Sequence, residues 1–294
     1  MEKQWLELSL IANSDEEAFL LETALEVAGA LSITFQANNE EEIFEPPIGT
    51  TPLWQKTKIT GLFALDADKK EILATLQSAL GEDYPILENF VKDSDWVRAW
   101  LDYFKPIKFG NNFWVAAHEH IIKEPNAKIL RLDPGLAFGT GTHPSTALCL
   151  DFLVNSADLK NKTVYDYGCG SGILGIAAAL LGAEKVYQTD IDPQALIASA
   201  ENAQKNGVLE KIKILNNPNE APIVNLLIAN ILLEPLCFLK EQFKKHINKN
   251  TELYFAGLLE RQEEKIREVY GQEFNIQKIK EKEGWILLKL TANV

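Results

Sequence analysis

The chain has 294 residues, of which 46% are hydrophobic, and its 29 basic and 42 acidic residues give a net charge of −13. That length and apolar content describe a globular protein with room for two ordinary domains, and nothing in the composition suggests disorder. No apolar run approaches the roughly 18 residues of a membrane span, and the start Met1-Glu2-Lys3-Gln4-Trp5 lacks the basic-then-apolar layout of a signal peptide, so a cytoplasmic protein with no membrane partner is expected.

The acidity is unevenly placed. Residues 1–93 hold 6 Lys/Arg and 18 Asp/Glu, whereas the remaining residues hold 23 and 24. Such a field repels a phosphate backbone, so direct nucleic-acid binding is not expected, and it speeds encounter with a basic partner. Simple solvation of the domain is the other reading of these charges. The three cysteines, Cys149, Cys169 and Cys237, are far apart with no CxxC pair, and are expected to be reduced apolar residues.

In chain order, Trp5 to Ile11 alternates as a strand, and Ser14-Asp15-Glu16-Glu17 forms a capping box ahead of a helix carrying Phe19, Leu20, Leu25 and Val27. A second strand spans Leu31 to Phe35. Beyond the acidic stretch Asn38 to Glu45 and the Pro46-Pro47 break come a strand at Lys56 to Leu65, a helix at Ala67 to Leu80 and a strand at Pro85 to Val91. The order βαββαβ predicts a small α+β ferredoxin-like domain, residues 1–93, with both helices on one face of an antiparallel sheet. Residues 94–106 read as a linker helix stopped before Pro106, with Trp96, Trp100 and Phe104 along one stripe. That stripe either packs on a domain or forms a surface against which the domains swing.

Residues 107–294 form the larger domain. Phe113 to Ala117 is a strand, and the following His118-Glu119-His120 has no third ligand at a recognisable spacing, so no metal site is expected. Asp133 to Thr146 (DPGLAFGTGTHPST) precedes an apolar helix at Ala147 to Val154. Its backbone N–H and hydroxyl groups suit a polar ligand tail, whereas helix capping alone would account only for Thr142 or Ser145.

Val164 to Gly175 (VYDYGCGSGILG) reads as an apolar strand, a glycine turn and a helix start, the layout of a cofactor site. Gly170, Gly172 and Gly175 satisfy the dinucleotide pattern GxGxxG, which leaves a nicotinamide or flavin reading beside one in which the first glycine is Gly168. A carboxylate at Asp166, where a dinucleotide fold keeps an apolar residue, favours the second: it suits the methionine ammonium of S-adenosylmethionine, directly or through water. The strand Lys185 to Thr189 ends in Asp190, placed to accept from ribose hydroxyls, while Asp192 precedes Pro193 and a helix and is expected to cap it. The strand Ile212 to Leu215 ends at Asn216-Asn217-Pro218-Asn219, near which an adenine edge would lie. Strands at Asn225 to Ala229 and Leu253 to Leu258, a helix at Glu260 to Tyr270 and a hairpin of Phe274 to Lys280 with Trp285 to Leu290 complete a Rossmann-like sheet of seven strands ending in an antiparallel hairpin.

DPGLAFGTGTHPST, VYDYGCGSG, TDIDPQA and LIANILLEPL, in that order, resemble the ribosomal protein L11 methyltransferase family. The resemblance runs from the linker to the C-terminus and extends to the N-terminal layout. It implies methyl transfer from S-adenosylmethionine to lysine ε-amines or the N-terminal α-amine of ribosomal protein L11, held by the acidic N-terminal domain; a methyltransferase of the same fold acting on another protein or a small amine is the alternative. The cofactor-binding residues implied are Thr146, Gly168, Asp190 and Asn230, beside Asp166 and Gly170 from the turn itself. Ile231 and Leu232 replace the prolines of Asn-Pro-Pro-Tyr enzymes. Two departures from the family pattern, Ala116 to Ile121 and Asn225 in place of aspartate, are expected to bear on substrate fit. No histidine or carboxylate stands out as a base, and no catalytic group is assigned.

Overall fold

The computed structural model describes residues 4–38, 52–64, 66–92, 105–132 and 141–293. The stretch Asn39 to Glu45, the linker helix over residues 94–104 with its Trp96, Trp100 and Phe104 stripe, and Asp133 to Thr140 lie outside the described residues. The chain divides into two compact units, Met1–Trp96 and Val97–Val294.

The first unit runs β1 (Gln4–Ala12), α1 (Asp15–Val27), β2 (Ser32–Ala37), β3 (Thr57–Phe63), α2 (Lys69–Leu80) and β4 (Leu87–Lys92). The sheet order is β2-β3-β1-β4 and every neighbouring pair is antiparallel, the ferredoxin-like arrangement the βαββαβ order predicts. Alternation along β1 sends Leu6, Leu8, Leu10 and Ala12 to the core, where they meet Leu21 and Leu25 of α1 and Ile72 and Leu76 of α2. Ser14 caps α1 by accepting from Glu17 N–H at 3.2 Å, and the Glu17 carboxylate reaches back to Asn13 N–H at 2.7 Å, one residue before the usual box.

In the second unit β5 (Ile107–Phe109), β6 (Phe113–Ala116) and β7 (Lys128–Arg131) form a three-stranded sheet, β5–β6 antiparallel and β6–β7 parallel. The large sheet comprises β8 (Thr163–Tyr167), β9 (Lys185–Thr189), β10 (Ile212–Leu215), β11 (Leu226–Asn230), β12 (Glu252–Leu259), β13 (Phe274–Lys282) and β14 (Trp285–Ala292), in the order β10-β9-β8-β11-β12-β14-β13. Its first five strands are parallel and β14 inserts antiparallel between β12 and β13. The helices are α3 (Pro144–Asn155), α4 (Ile173–Leu181), α5 (Pro193–Lys205), α6 (Leu233–Phe238), α7 (Lys240–Lys244) and α8 (Glu263–Tyr270).

Both faces of this sheet are buried, as parallel sheets require. Leu226 and Ile228 of β11 enter the core containing α3 and α4, while Leu227 and Ala229 enter the one containing α6, α7 and α8. The β13–β14 hairpin closes through Glu283 (φ 52°) and Gly284 (φ 77°), the pair of left-handed residues that a two-residue turn needs. The sheet order reverses between β8 and β11, which places the ligand crevice of an open α/β sheet at the carboxyl ends of β8, β9 and β11. Among the described residues no helix is long and apolar enough to cross a membrane, and no three His, Cys, Asp or Glu side chains gather as a metal site.

Candidate active site at the switch point

The carboxyl end of β8 carries Asp166 and then the glycine turn. Gly168, Gly170 and Gly172 all adopt positive φ, at 75°, 53° and 81°, a run that only glycine makes without strain. The N–H groups of Gly168 and Cys169 donate to Thr189 O at 2.9 and 3.0 Å, tying the turn to the end of β9. The left-handed glycines are those counted from Gly168. Gly175 lies inside α4, packed against Gln188 and Val186 of β9.

The reason for glycine is mostly internal. A Cβ at Gly168 would lie 2.3 Å from Ile231 Cγ2, at Gly172 2.4 Å from Ser199 Oγ, and at Gly175 2.5 Å from Gln188 Nε2. Side chains at these three positions would strike the protein itself.

Asp166 is buried, and its Oδ2 accepts from Gly175 N–H and from Gln188 Nε2, both at 2.9 Å. Burial pushes its pKa up to about 6, against the opposing effect of those two donors. What Asp166 does in this structure is brace the start of α4 from below the turn. Asp190, at the end of β9, is half-buried; its Oδ2 accepts from Gly170 N–H at 2.8 Å and its Oδ1 from Asp192 N–H at 3.0 Å. The two carboxylate oxygens keep further lone pairs for a donor ligand. Asp192 caps α5 by accepting from Gln194 N–H at 2.9 Å, as its place before Pro193 predicts.

Asn230 ends β11 on the other side of Asp166. Its Nδ2 donates to Thr146 Oγ1 at 3.1 Å, joining the strand end to the first turn of α3, while its buried Oδ1 finds no hydrogen-bond partner among the described residues. A buried acceptor left unmet costs about 1–3 kcal/mol, which marks a place prepared for a donor. Ile231 is seated between the turn and the β12 bulge, where a Cβ at Gly257 would come within 2.4 Å of Ile231 O. Asp166, Gly168, Gly170, Asp190 and Asn230 thus lie at the carboxyl ends of neighbouring strands β8, β9 and β11, with Thr146 in the first turn of α3 bonded to Asn230.

One expectation changes. The cap of α3 is His143, whose Nδ1 accepts from Ser145 N–H at 3.3 Å, rather than Thr142 or Ser145. Its ring stands edge-on to Trp285 at 4.5 Å, and burial lowers its pKa. Asn225 lies just before β11, at the end opposite Asn230; its Oδ1 accepts from Thr163 N–H and Oγ1 at 2.8 and 3.0 Å, a tie between strands. In the turn after β10, Asn217 caps the following short helix and Asn219 accepts from Lys245 Nζ, which leaves Asn216 as the exposed asparagine nearest the strand end. Sequence reading also passed over Ile191, a wholly exposed isoleucine between Asp190 and Asp192; the signal was an apolar residue where the two neighbouring carboxylates announce a solvent-facing loop.

The family model described as ribosomal protein L11 methyltransferase (PrmA) matches residues 4–293. A ribosomal protein L11 methyltransferase of Dichelobacter nodosus is 63% identical over 291 residues, covering 99% of each chain. One from Pseudomonas aeruginosa is 45% identical over 287 residues, 96% of each. A solved structure titled ribosomal protein L11 methylase, from Lactobacillus delbrueckii subsp. bulgaricus, superimposes with a TM-score of 0.59 at 32% identity, covering 65% of this chain and all of that one.

Proposed function

Since the chain belongs to the ribosomal protein L11 methyltransferase family and is an enzyme of methyl transfer, we propose that it carries methyl groups from S-adenosylmethionine to lysine ε-amines or the N-terminal α-amine of ribosomal protein L11. The observation that supports the cofactor most strongly is the unmet, buried Asn230 Oδ1 beside Thr146 at the end of β11. S-adenosylmethionine is rich in donors at both ends, and the residues present fit it: Asn230 and Asp166 on the ammonium side, Asp190 for the ribose hydroxyls, and the exposed Ile191 as an apolar surface for the base. When bound, the cofactor supplies a methyl group already activated on a sulfonium.

The protein's task is then alignment and exclusion of water. Holding a lysine amine neutral at pH 7 costs about 4–5 kcal/mol from a reference pKa near 10.4, against about 1 kcal/mol for an α-amine near 8. Desolvation beside the apolar Ile231 and Leu232 offsets part of that cost.

The acidic first unit supplies the protein-binding face. On α1 the exposed side carries Phe19, Leu20 and Val27, with Asp15, Glu16 and Glu26 on the same side, an apolar stripe with an anionic border suited to a basic protein. The test is transfer of tritiated methyl groups to a ribosomal protein mixture by the doubly reversed variant Glu16→Lys, Glu26→Lys. The expected result is a protein KM raised about tenfold, equivalent to ~1.4 kcal/mol, with cofactor affinity unchanged. An unchanged KM removes this face from the reading, and label appearing only in other proteins or small amines favours the alternative substrate class.

A further inference from the structure

Buried polar side chains lie beneath the glycine turn. Gln188 sits in β9 with no exposed surface, an amide in the middle of a parallel sheet. Its Nε2 donates to Asp166 Oδ2 at 2.9 Å and to Gly172 O at 3.1 Å, while its Oε1 accepts from Ser199 Oγ at 2.9 Å. Three residues along α5 from Ser199, Asn202 donates from Nδ2 to Ser171 O at 2.9 Å. The carbonyls of two successive residues of the turn are therefore held by protein amides. Because a trans peptide is planar, drawing the Gly172 carbonyl inward sends the next N–H, that of Ile173 at the start of α4, the opposite way.

The network is fitted as closely as it is bonded. Gly172 and Gly175 have no room for a Cβ because Ser199 and Gln188 already occupy it. A buried amide whose donors and acceptor are all engaged fixes a unique arrangement, and losing one member leaves the others unmet.

From this geometry we infer that Gln188 is a positioning residue for methyl transfer: by joining the Asp166 carboxylate to the Gly172 carbonyl, it sets the glycine turn in the form that receives the cofactor. The inference rests on the reading of the turn as the S-adenosylmethionine site. Gln188 itself touches neither reactant.

The linkage has a pH signature. Asp166 carries a raised pKa of about 6, and the titratable groups that interact with it are Asp190 just after β9, Tyr165 beside it on β8, Cys149 from α3 and Cys169 from the turn, the phenol and the two thiols being pushed up by burial and so protonated. Removing the Gln188 donor takes away an interaction that favours the ionised carboxylate, so the midpoint at which Asp166 gains a proton moves to higher pH.

The experiment is calorimetric titration of the full chain with S-adenosylhomocysteine from pH 5 to 8, for the wild type and Gln188→Met. The wild type is expected to bind with an acid limb near pH 6. The variant is expected to bind about ten- to a hundredfold more weakly at pH 7.5, with the limb displaced upward. A side chain that merely stabilised the fold would lower the unfolding midpoint and leave that limb in place. Should Gln188→Met fail to fold, Ser199→Ala removes one bond of the same network and is expected to shift the limb in the same direction by less. Equal affinity and an unmoved limb in a folded variant overturn the inference while leaving the cofactor reading intact; a wild type that does not bind S-adenosylhomocysteine overturns the cofactor reading instead.

Discussion

Replacing Asn230 with alanine separates a ligand-binding role from a structural one, because the two predict opposite balances of stability and affinity. In the free protein the side chain makes one bond, Nδ2 to Thr146 Oγ1 at 3.1 Å, and leaves Oδ1 buried without a partner among the described residues. Losing the bond costs about 1 kcal/mol, and removing the unmet acceptor returns about 1–3 kcal/mol, so Asn230→Ala is expected to leave the unfolding free energy unchanged or raise it by up to about 2 kcal/mol. The liganded state has no such compensation. A hydrogen bond from a charged donor to Oδ1 is worth about 1.5–3 kcal/mol, which predicts S-adenosylmethionine binding weakened by about ten- to 150-fold. Urea denaturation and calorimetric titration of the same preparation give the two numbers. A variant that unfolds far more easily yet binds the cofactor as well as the wild type refutes the reasoning.

Asp190→Ala removes a carboxylate that holds Gly170 N–H and Asp192 N–H while facing the crevice, and affinity is expected to fall by about 3–6 kcal/mol with the fold retained; Asp190→Asn should recover part of it by calorimetry. Gly168→Ala combines a left-handed φ with a Cβ 2.3 Å from Ile231 Cγ2, for a loss of about 2–5 kcal/mol in chemical denaturation. Its control is Gly182→Ala, at φ 115° with open space around it, which is expected to lose no more than about 1–2 kcal/mol. His246 is buried, donates from Nδ1 to Ala221 O at 2.8 Å, and faces Gln242 Nε2 and Lys245; burial lowers its pKa. The unfolded chain then takes up this proton first, so the contribution is complete above about pH 6.5 and is lost as pH falls below it. Comparing unfolding curves of the wild type and His246→Gln at pH 7.5 and 5.5 isolates that slope from the opposite one of Asp166, whose raised pKa makes the folded state the stronger proton binder below about pH 6.

The long elements were legible because pattern and cap agreed. β1 alternates, Ser14 and Asp192 cap as their spacing predicts, and the Glu283-Gly284 pair announced the final hairpin. β5 and β7, of three and four residues, are too short to show alternation and were missed. Asp166 was legible as a carboxylate where the strand pattern expects an apolar residue, whereas Asn230 came from the family resemblance alone. Gln188 was not legible, because a glutamine within a strand reads as the solvent face until both faces are known to be buried. Ser199 and Asn202 look the same as any polar residues on an amphipathic helix, and only the path of the turn above them shows which carbonyls they hold. The α3 cap went to His143 because Pro144 takes the first helical position, which places the cap one residue before it.

The central claim is tested most directly by incubating the purified chain with ribosomal protein L11 and S-adenosylmethionine bearing an isotopically labelled methyl group, then reading the peptides by mass spectrometry. Labelled methyl groups on lysine ε-nitrogens or on the N-terminal α-nitrogen of L11 are the predicted result. An unlabelled L11, with the methyl group found on another protein, on a small amine or nowhere, contradicts it.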